Sequence, residues 1–218
     1  MSTPDDGGRL ALWDWRRRIA QLYAEVRTER DPVKAWWRWR ETRDRLFREH
    51  PQSPLERAQR AKFRGLACAD YDPRLRFAVV LHPMPEPVVV RFDAGADGTL
   101  TLTSFARTEG LSAPLGAELL LFWIEGYAGS VFLPFTDAST GHTSYGAGRY
   151  LIDTLKGADL GSDAQGRCIL DFNFAYNPSC AYSPRWACPL APAENALPVA
   201  IEAGERRFEA PQTDFKRY

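Results

Sequence analysis

The sequence contains no long apolar run. No stretch approaches the roughly 20 consecutive apolar residues that a membrane-spanning helix requires, so we expect no membrane partner. The amino terminus, MSTPDDGGRLALWDWRRR, places acids before bases and has no apolar core, unlike a secretory signal or a transit peptide. The sequence therefore predicts a cytoplasmic protein.

An excess of charge of either sign is also lacking. Lysine plus arginine and aspartate plus glutamate each number 28, so no global field attracts nucleic acid. One basic stretch, WWRWRETRDRLFR, does combine arginines with tryptophans that could stack on RNA bases. Because acids are interleaved with the arginines, we favour an amphipathic helix with its tryptophans in the core. We expect no nucleic-acid partner.

Histidine and cysteine are scarce, with three and four residues respectively. Cys180 and Cys188 have seven residues between them and no histidine close by, which does not match zinc-ligand spacing. A hard cation could use Asp137, Asp171 and Glu194, but the pattern does not assemble the six or more oxygens that such an ion needs. We therefore expect no metal site. In a reducing compartment we also expect all four cysteines to be free thiols.

The first third of the chain has the three- and four-residue spacing of amphipathic helices. One apolar stripe begins at Leu12. A second follows Asp31 and Pro32, where the aspartate can cap a helix and the proline suits its first position; this stripe contains Trp36, Trp39, Leu46 and Phe47. The segment SPLE, beginning at Ser53, predicts the start of a third helix. Helices are expected over most of residues 9–63.

After the segment YDP at residues 71–73 the apolar spacing changes to two, which is typical of β-strands. Asp97-Gly98 predicts a tight turn. No crossover helices separate the strands, so an antiparallel meander is expected. The sequence predicts an α+β fold in a single domain, with a helical segment at 1–66 and an antiparallel β-barrel or β-sandwich at 67–218 that ends in a proline-rich loop. Seven strands are expected, at 77–81, 88–92, 99–105, 117–125, 130–135, 149–155 and 167–173.

The last two predicted strands can be paired as a hairpin centred near Gly161. In that register Tyr150 faces Phe172, and Arg149 lies diagonally from Asp171, within reach of a charge-assisted hydrogen bond. We expect this pair to be partly shielded from water. The network that extends it is predicted to contain Asn173, Tyr145 and Tyr176.

Two stretches carry a resemblance to a known family. They are FTDASTGHTSYGAGRYL at 135–151 and DFNFAYNPSCAYSPRWACPLAPAENALPVAIEAGE at 171–205. Together with SPL at 53–55 and YDP at 71–73 they resemble an uncharacterised bacterial family, domain-of-unknown-function family sixteen eighty-four. Ser139 and Ser144 stand where threonine is usual in that pattern. The resemblance spans nearly the whole chain and implies no particular activity, because the family has no assigned function.

The same two stretches concentrate polar and aromatic side chains. Four prolines, at positions 178, 184, 189 and 192, make the central part of the second stretch rigid and extended. We expect it to lie over the polar face of the last hairpin, either as a clasp that fixes the loop or as one wall of a ligand pocket. The candidate ligand-binding residues are Asp137, Tyr145, Arg149, Asp171, Asn173, Tyr176, Asn177, Cys180, Cys188, Glu194 and Asn195.

Three functions remain open at this point. The first is a small-molecule-binding barrel, with or without turnover, and the second is a non-catalytic scaffold whose aromatic helices contact a partner protein. The third is a cysteine-dependent hydrolase with Cys180 or Cys188 as nucleophile and His142 as base. Asn177 or Asn195 would then donate to an oxyanion. The sequence names no cofactor, no substrate and no oligomeric state.

Overall fold

The computed structural model describes residues 6–93, 98–126 and 129–209. Four helices and seven antiparallel strands make up the regular structure of these residues, and the predicted α+β class is confirmed. The helices are α1 (Asp6–Thr28), α2 (Pro32–Glu49), α3 (Arg57–Lys62) and α4 (Ser112–Leu115). The strands are β1 (Arg76–Pro83), β2 (Val89–Asp93), β3 (Thr99–Glu109), β4 (Leu120–Ile124), β5 (Ser130–Phe135), β6 (Arg149–Asp153) and β7 (Cys168–Asp171).

The two long helices form where the apolar spacing predicts them. Asp31 caps α2, because its Oδ1 accepts hydrogen bonds from the backbone N–H groups of Val33 at 3.0 Å and Lys34 at 3.3 Å. Trp36 and Trp39 of α2 are buried against the outer face of the sheet. Within the described residues, no helix combines the length and the apolar content that crossing a membrane demands.

The third helix begins later than its sequence predicts. Ser53 accepts a hydrogen bond from the N–H of Leu55 at 3.2 Å, yet no helix follows it directly. The Ser53 hydroxyl instead donates to the carbonyl of Phe47 at 2.6 Å, which ties the turn to the end of α2. Helix α3 starts at Arg57. The residue before it, Glu56, donates its backbone N–H to the Gln59 side chain at 2.7 Å, which caps the helix.

The strands follow the order β6-β5-β4-β3-β1-β7, and β2 also pairs with β3. Strand β3 is the longest, and its two halves have different partners on one edge: Thr99 to Thr103 pair with β2, and Ala106 to Glu109 pair with β1. A register shift at Phe105 bends β3 against β4. The curved sheet is therefore nearly a barrel. The predicted turn at Asp97-Gly98 lies at the edge of the described residues, because Asp97 is outside them.

The predicted hairpin between the last two strands is wrong. Strand β6 pairs with β5, and β7 crosses the molecule to pair with β1, where Arg76 faces Asp171. The segment that follows β7 then bridges to β6 and closes the barrel. The bridge is a single pair of residues, Tyr150 and Tyr176, which exchange backbone hydrogen bonds of 2.9 and 3.1 Å. Tyr150 therefore faces Tyr176, and not Phe172.

Two apolar layers result from this topology. One fills the barrel interior and includes Leu121, Leu133 and Leu170. The other lies between the sheet and helices α1 and α2. It includes Phe122, Phe132, Trp36 and Trp39. Side chains on a strand alternate between the two layers, so each strand presents one face to the interior and one to the helices.

Candidate functional site

Arg149 begins β6 and is buried, with 2% of its surface exposed. Its guanidinium donates to Asp137 Oδ2 at 2.8 Å and to the carbonyl oxygens of Ile201 at 3.0 Å and Glu205 at 3.2 Å, and it also donates to the carbonyl of Ala203. One side chain thus holds the carboxyl-terminal segment against the barrel. Its Nε is buried and has no partner among the described residues.

Asp137 completes this anchor. Its Oδ1 accepts from the N–H of Ser139 at 2.7 Å and from the N–H of Ile201 at 3.2 Å, while Oδ2 receives Arg149. The carboxylate therefore fixes the turn after β5 and the carboxyl-terminal segment together. Three donors on one buried carboxylate, one of them a charged guanidinium, are typical of a structural pair.

The predicted pair between Arg149 and Asp171 is wrong, because β6 and β7 are not neighbours. Asp171 is fully buried and ion-pairs with Arg76 of β1 at 3.1 Å. The hydroxyl of Tyr71 donates to its Oδ2 at 3.0 Å. Burial, together with this carboxylate, raises the pKa of Tyr71 well above its ordinary value. Asp171 therefore pairs with Arg76, and Arg149 pairs with Asp137 instead.

Two buried asparagines form hydrogen bonds to backbone groups that have no partner on a neighbouring strand. The Asn173 side chain accepts from the N–H of Asp72 and donates to the carbonyl of Asp72, both at 2.8 Å. The Asn195 side chain does the same to Leu120, at 2.8 and 2.9 Å, and also donates to the carbonyl of Pro134 at 2.7 Å. A side-chain amide carries both a donor and an acceptor, so it can satisfy a strand end that has no neighbouring strand.

Glu205 is a buried acid that the sequence reasoning missed. It forms a salt bridge with Arg43 of α2, accepts the N–H of Asn177 at 2.9 Å and accepts the hydroxyl of Tyr182. The Arg43 guanidinium also lies over the ring of Tyr176 at 5.0 Å. The bridge joins helix α2 to the barrel across 162 positions of sequence. The only sequence signal for Glu205 was its place as the last residue of the second family stretch.

We call this set of buried groups the polar clasp. Its contacts run between protein groups and hold the carboxyl-terminal segment, the turn after β5 and helix α2 on the barrel. Asn177 extends it, because its Nδ2 donates to the carbonyl of Arg206 at 2.8 Å while its Oδ1 is buried without a partner among the described residues. The members of the polar clasp are Asp137, Arg149, Asp171, Asn173, Asn195 and Glu205.

The remaining candidate residues lie apart from the polar clasp. Tyr176 reaches Asp153 with its hydroxyl at 3.5 Å, and Glu194 is exposed. Tyr145 donates to the sulfur of Cys180 at 3.7 Å, and the N–H of Cys180 donates to the sulfur of Cys188 at 3.3 Å. All four cysteines are free thiols, as the sequence predicts.

The hydrolase arrangement is not assembled around these thiols. His142 is exposed, and among the described residues the hydrogen bonds to the Cys180 sulfur involve Tyr145 and Cys188. The amide nitrogens of Asn177 and Asn195 already donate to backbone carbonyls. Asn195 uses both of its N–H groups, on Leu120 and Pro134, and so has no donor left for an oxyanion, whereas Asn177 uses one of its two.

A cavity of about 430 Å³ opens at the other end of the barrel. Residues of β1 and β3 to β7 line it, and the connection between β6 and β7 forms one wall. Val80 and Phe105 at its mouth are 43% and 38% exposed. None of the predicted site residues reaches it. The lining residues are Val80, Leu81, Phe105, Leu121, Val131, Ile152, Thr154, Asp159, Gly161, Ser162, Gln165, Gly166, Arg167 and Cys168.

No curated protein matches this sequence. Among solved structures, the chain is similar to an uncharacterised protein from gene locus rrnAC0354 of Haloarcula marismortui, determined by NMR in solution. The two chains are 33% identical, the match covers 82% of this chain and 92% of the other, and the TM-score is 0.52. The family described as "Protein of unknown function (DUF1684)" matches residues 61–206, a range that includes the polar clasp and the cavity. On this match, the chain belongs to the DUF1684 family of proteins of unknown function.

Proposed function

We propose that the protein binds a small, mainly apolar molecule in the cavity at the open end of the barrel. The observation that carries this proposal is the cavity itself, whose volume of about 430 Å³ falls in the range of small-molecule sites. The sequence reasoning favoured a ligand-binding barrel but put the site at the motif residues. We now assign the ligand to the aliphatic lining, and a structural role to the polar clasp.

The chemistry of the lining favours an uncharged ligand. Leu81, Leu121 and Ile152 offer apolar surface, whose contact with a ligand is favourable because it removes apolar area from water. The cation of the cavity wall, Arg167, is already paired with Asp163 at 2.7 Å. A carboxylate ligand would have to compete with that partner, so we expect an alkyl chain with a neutral polar end to bind better than the matching acid.

The test is a titration of the purified protein with straight-chain alcohols of increasing length, followed by calorimetry. Each methylene buried in the cavity should contribute about 0.8 kcal/mol, which tightens Kd by about fourfold until the cavity is full. The carboxylates of the same chain lengths should bind more weakly. An affinity that does not depend on chain length would contradict the proposal.

A matched pair of variants locates the binding. Val80→Trp places a large side chain at the cavity mouth, while Val89→Trp makes the same change on β2, at a valine that is 47% exposed and not part of the lining. We expect Val80→Trp to raise the Kd of the longest alcohol by at least about tenfold, and we expect Val89→Trp to leave that Kd unchanged. Equal losses in both variants would indicate non-specific adsorption.

A protein-interaction module is the second candidate function. Trp13 of α1 and Trp37 of α2 are half exposed, as an aromatic docking surface would require. Each ring, however, lies under an arginine, with Arg17 at 5.0 Å from Trp13 and Arg40 at 5.0 Å from Trp37. These cation–π contacts give the exposed rings partners within the chain, and we therefore place this candidate second.

A further inference from the structure

The proline-rich loop brings two thiols and a tyrosine together in a place that neither the cavity nor the polar clasp uses. The N–H of Cys180 donates to the Cys188 sulfur at 3.3 Å, and the Cys188 thiol hydrogen-bonds the Cys180 sulfur. The Tyr145 hydroxyl donates to the same sulfur at 3.7 Å. Both cysteines are partly exposed, so a small reagent can reach them.

The loop holds this arrangement in place from both sides. Pro178 precedes the turn that carries Cys180, and Pro189 follows Cys188 directly. The carbonyl of Pro189 accepts a hydrogen bond from the Tyr150 hydroxyl at 2.6 Å, which fixes the second thiol against β6. Prolines restrict their own backbone and that of the preceding residue, so the two sulfurs are held close together at a low entropic cost.

We propose that Cys180 and Cys188 form a dithiol site that reduces hydroperoxides and closes to a disulfide. Cys180 is the attacking thiolate and Cys188 is the thiol that resolves the intermediate. The site is independent of the ligand cavity, and its chemistry requires no group other than the two cysteines and the hydroperoxide.

The reaction balances in two steps. The Cys180 thiolate attacks the terminal peroxide oxygen, an S–O bond forms, the O–O bond breaks, and the leaving alkoxide takes a proton to become an alcohol, or water when the substrate is hydrogen peroxide. The Cys188 sulfur then attacks the sulfenic acid at Cys180, the S–S bond forms, and the oxygen leaves as water with the Cys188 proton. Two thiols lose two electrons in total, and these electrons reduce the peroxide bond.

The electrostatics around Cys180 agree with the role of attacking group. The hydrogen bonds from Cys188 and Tyr145 lower the pKa of Cys180 to about 6, although burial acts in the opposite direction. Lys156 adds a favourable charge, and Tyr150 is the other titratable group that lies close to the pair. Burial raises the pKa of Cys68 to about 12. The hydrogen bond to Cys180 and burial also raise the pKa of Cys188, so Cys180 is the thiol of the pair that ionises more readily.

The test uses the reduced full chain and an equimolar amount of hydrogen peroxide. We expect the mass to fall by two hydrogens and peptide mapping to join Cys180 to Cys188. Cys180→Ser should slow the loss of thiols by at least about tenfold, because the remaining thiols are largely protonated at pH 7. Cys188→Ser should stop at a sulfenic acid on Cys180 that a cyclic dione traps. Cys68→Ser is the matched control and should react like the wild type.

The pH profile separates this chemistry from simple exposure. Alkylation of Cys180 should fall as the pH drops below about 6, where its thiolate takes up a proton. Tyr145→Phe removes a hydrogen bond to the thiolate, so the midpoint should move to higher pH while the disulfide still forms. Full recovery of four thiols after treatment with peroxide, or oxidation that is as fast at Cys68 as at Cys180, would overturn the proposal.

Discussion

The two ends of the barrel differ in what they bury. One end buries charged groups, with Arg149 on Asp137, Arg43 on Glu205 and Asp171 beneath a partly exposed Arg76. Nearly every buried polar atom there has a protein partner. The opposite end buries aliphatic side chains around an open cavity. A satisfied polar set has few groups left for a ligand, whereas an open apolar cavity gains by being filled. We infer from this difference that the first end maintains the fold and the second end binds.

The largest effect should come from the buried salt bridge of the polar clasp. Glu205→Ala leaves the Arg43 guanidinium buried without its carboxylate, which should lower the free energy of unfolding by about 3–5 kcal/mol. The matched control is Glu25→Ala, which removes the partner of Arg38 from an exposed pair and should cost under about 1 kcal/mol. Denaturant unfolding measures both. A small loss in Glu205→Ala would mean that the polar clasp contributes little to the fold.

A second, smaller effect should appear at the glycine beside Glu205. Gly204 has φ +74°, and a Cβ there would lie 2.6 Å from the carbonyl oxygen of Ala175. Gly166, in the cavity wall, has a similar φ of +77° but open space where its Cβ would be. Gly204→Ala should therefore cost about 3 kcal/mol, from backbone strain and collision together, and Gly166→Ala about 1 kcal/mol from strain alone. Similar losses of unfolding free energy in Gly204→Ala and Gly166→Ala would contradict the expectation that the end with the polar clasp is more tightly packed than the end with the cavity.

The sequence predicted the parts of this fold that depend on local pattern. Apolar spacing located α1, α2 and the seven strands, and the Asp31 cap followed from residue type alone. The register of the last strands could not be predicted, because an alternating pattern fits β5, β6 or β1 as a partner equally well. The exchange of partners moved Asp171 from Arg149 to Arg76, which separates Arg149 from the expected network. The predicted link between Asp171 and Asn173 is confirmed, because the Asn173 side chain donates to Asp171 Oδ1 at 2.8 Å.

The sequence predicted only part of the candidate site, and the reason differs from the one that hid the strand register. The motif residues stood out because polar and aromatic side chains are concentrated in the two stretches at 135–151 and 171–205. The cavity is lined by residues such as Leu81, Leu121 and Ile152, whose types are those of any barrel interior. Nothing in their spacing distinguishes a filled interior from an open one. The volume depends on the curvature of the sheet, to which register shifts at Phe105 in β3 and between Leu133 and Pro134 in β5 contribute.

The most direct test of the division between the two ends compares one variant from each. Asp171→Asn weakens the polar clasp, and Val80→Trp fills the mouth of the cavity. The measurement is the melting temperature of each variant with and without a saturating straight-chain alcohol. We expect Asp171→Asn to melt lower than the wild type but to keep the full ligand-induced increase, and Val80→Trp to melt near the wild type but to lose that increase. An Asp171→Asn protein that keeps its melting temperature and loses the ligand response would contradict the account and would return the binding site to the motif residues.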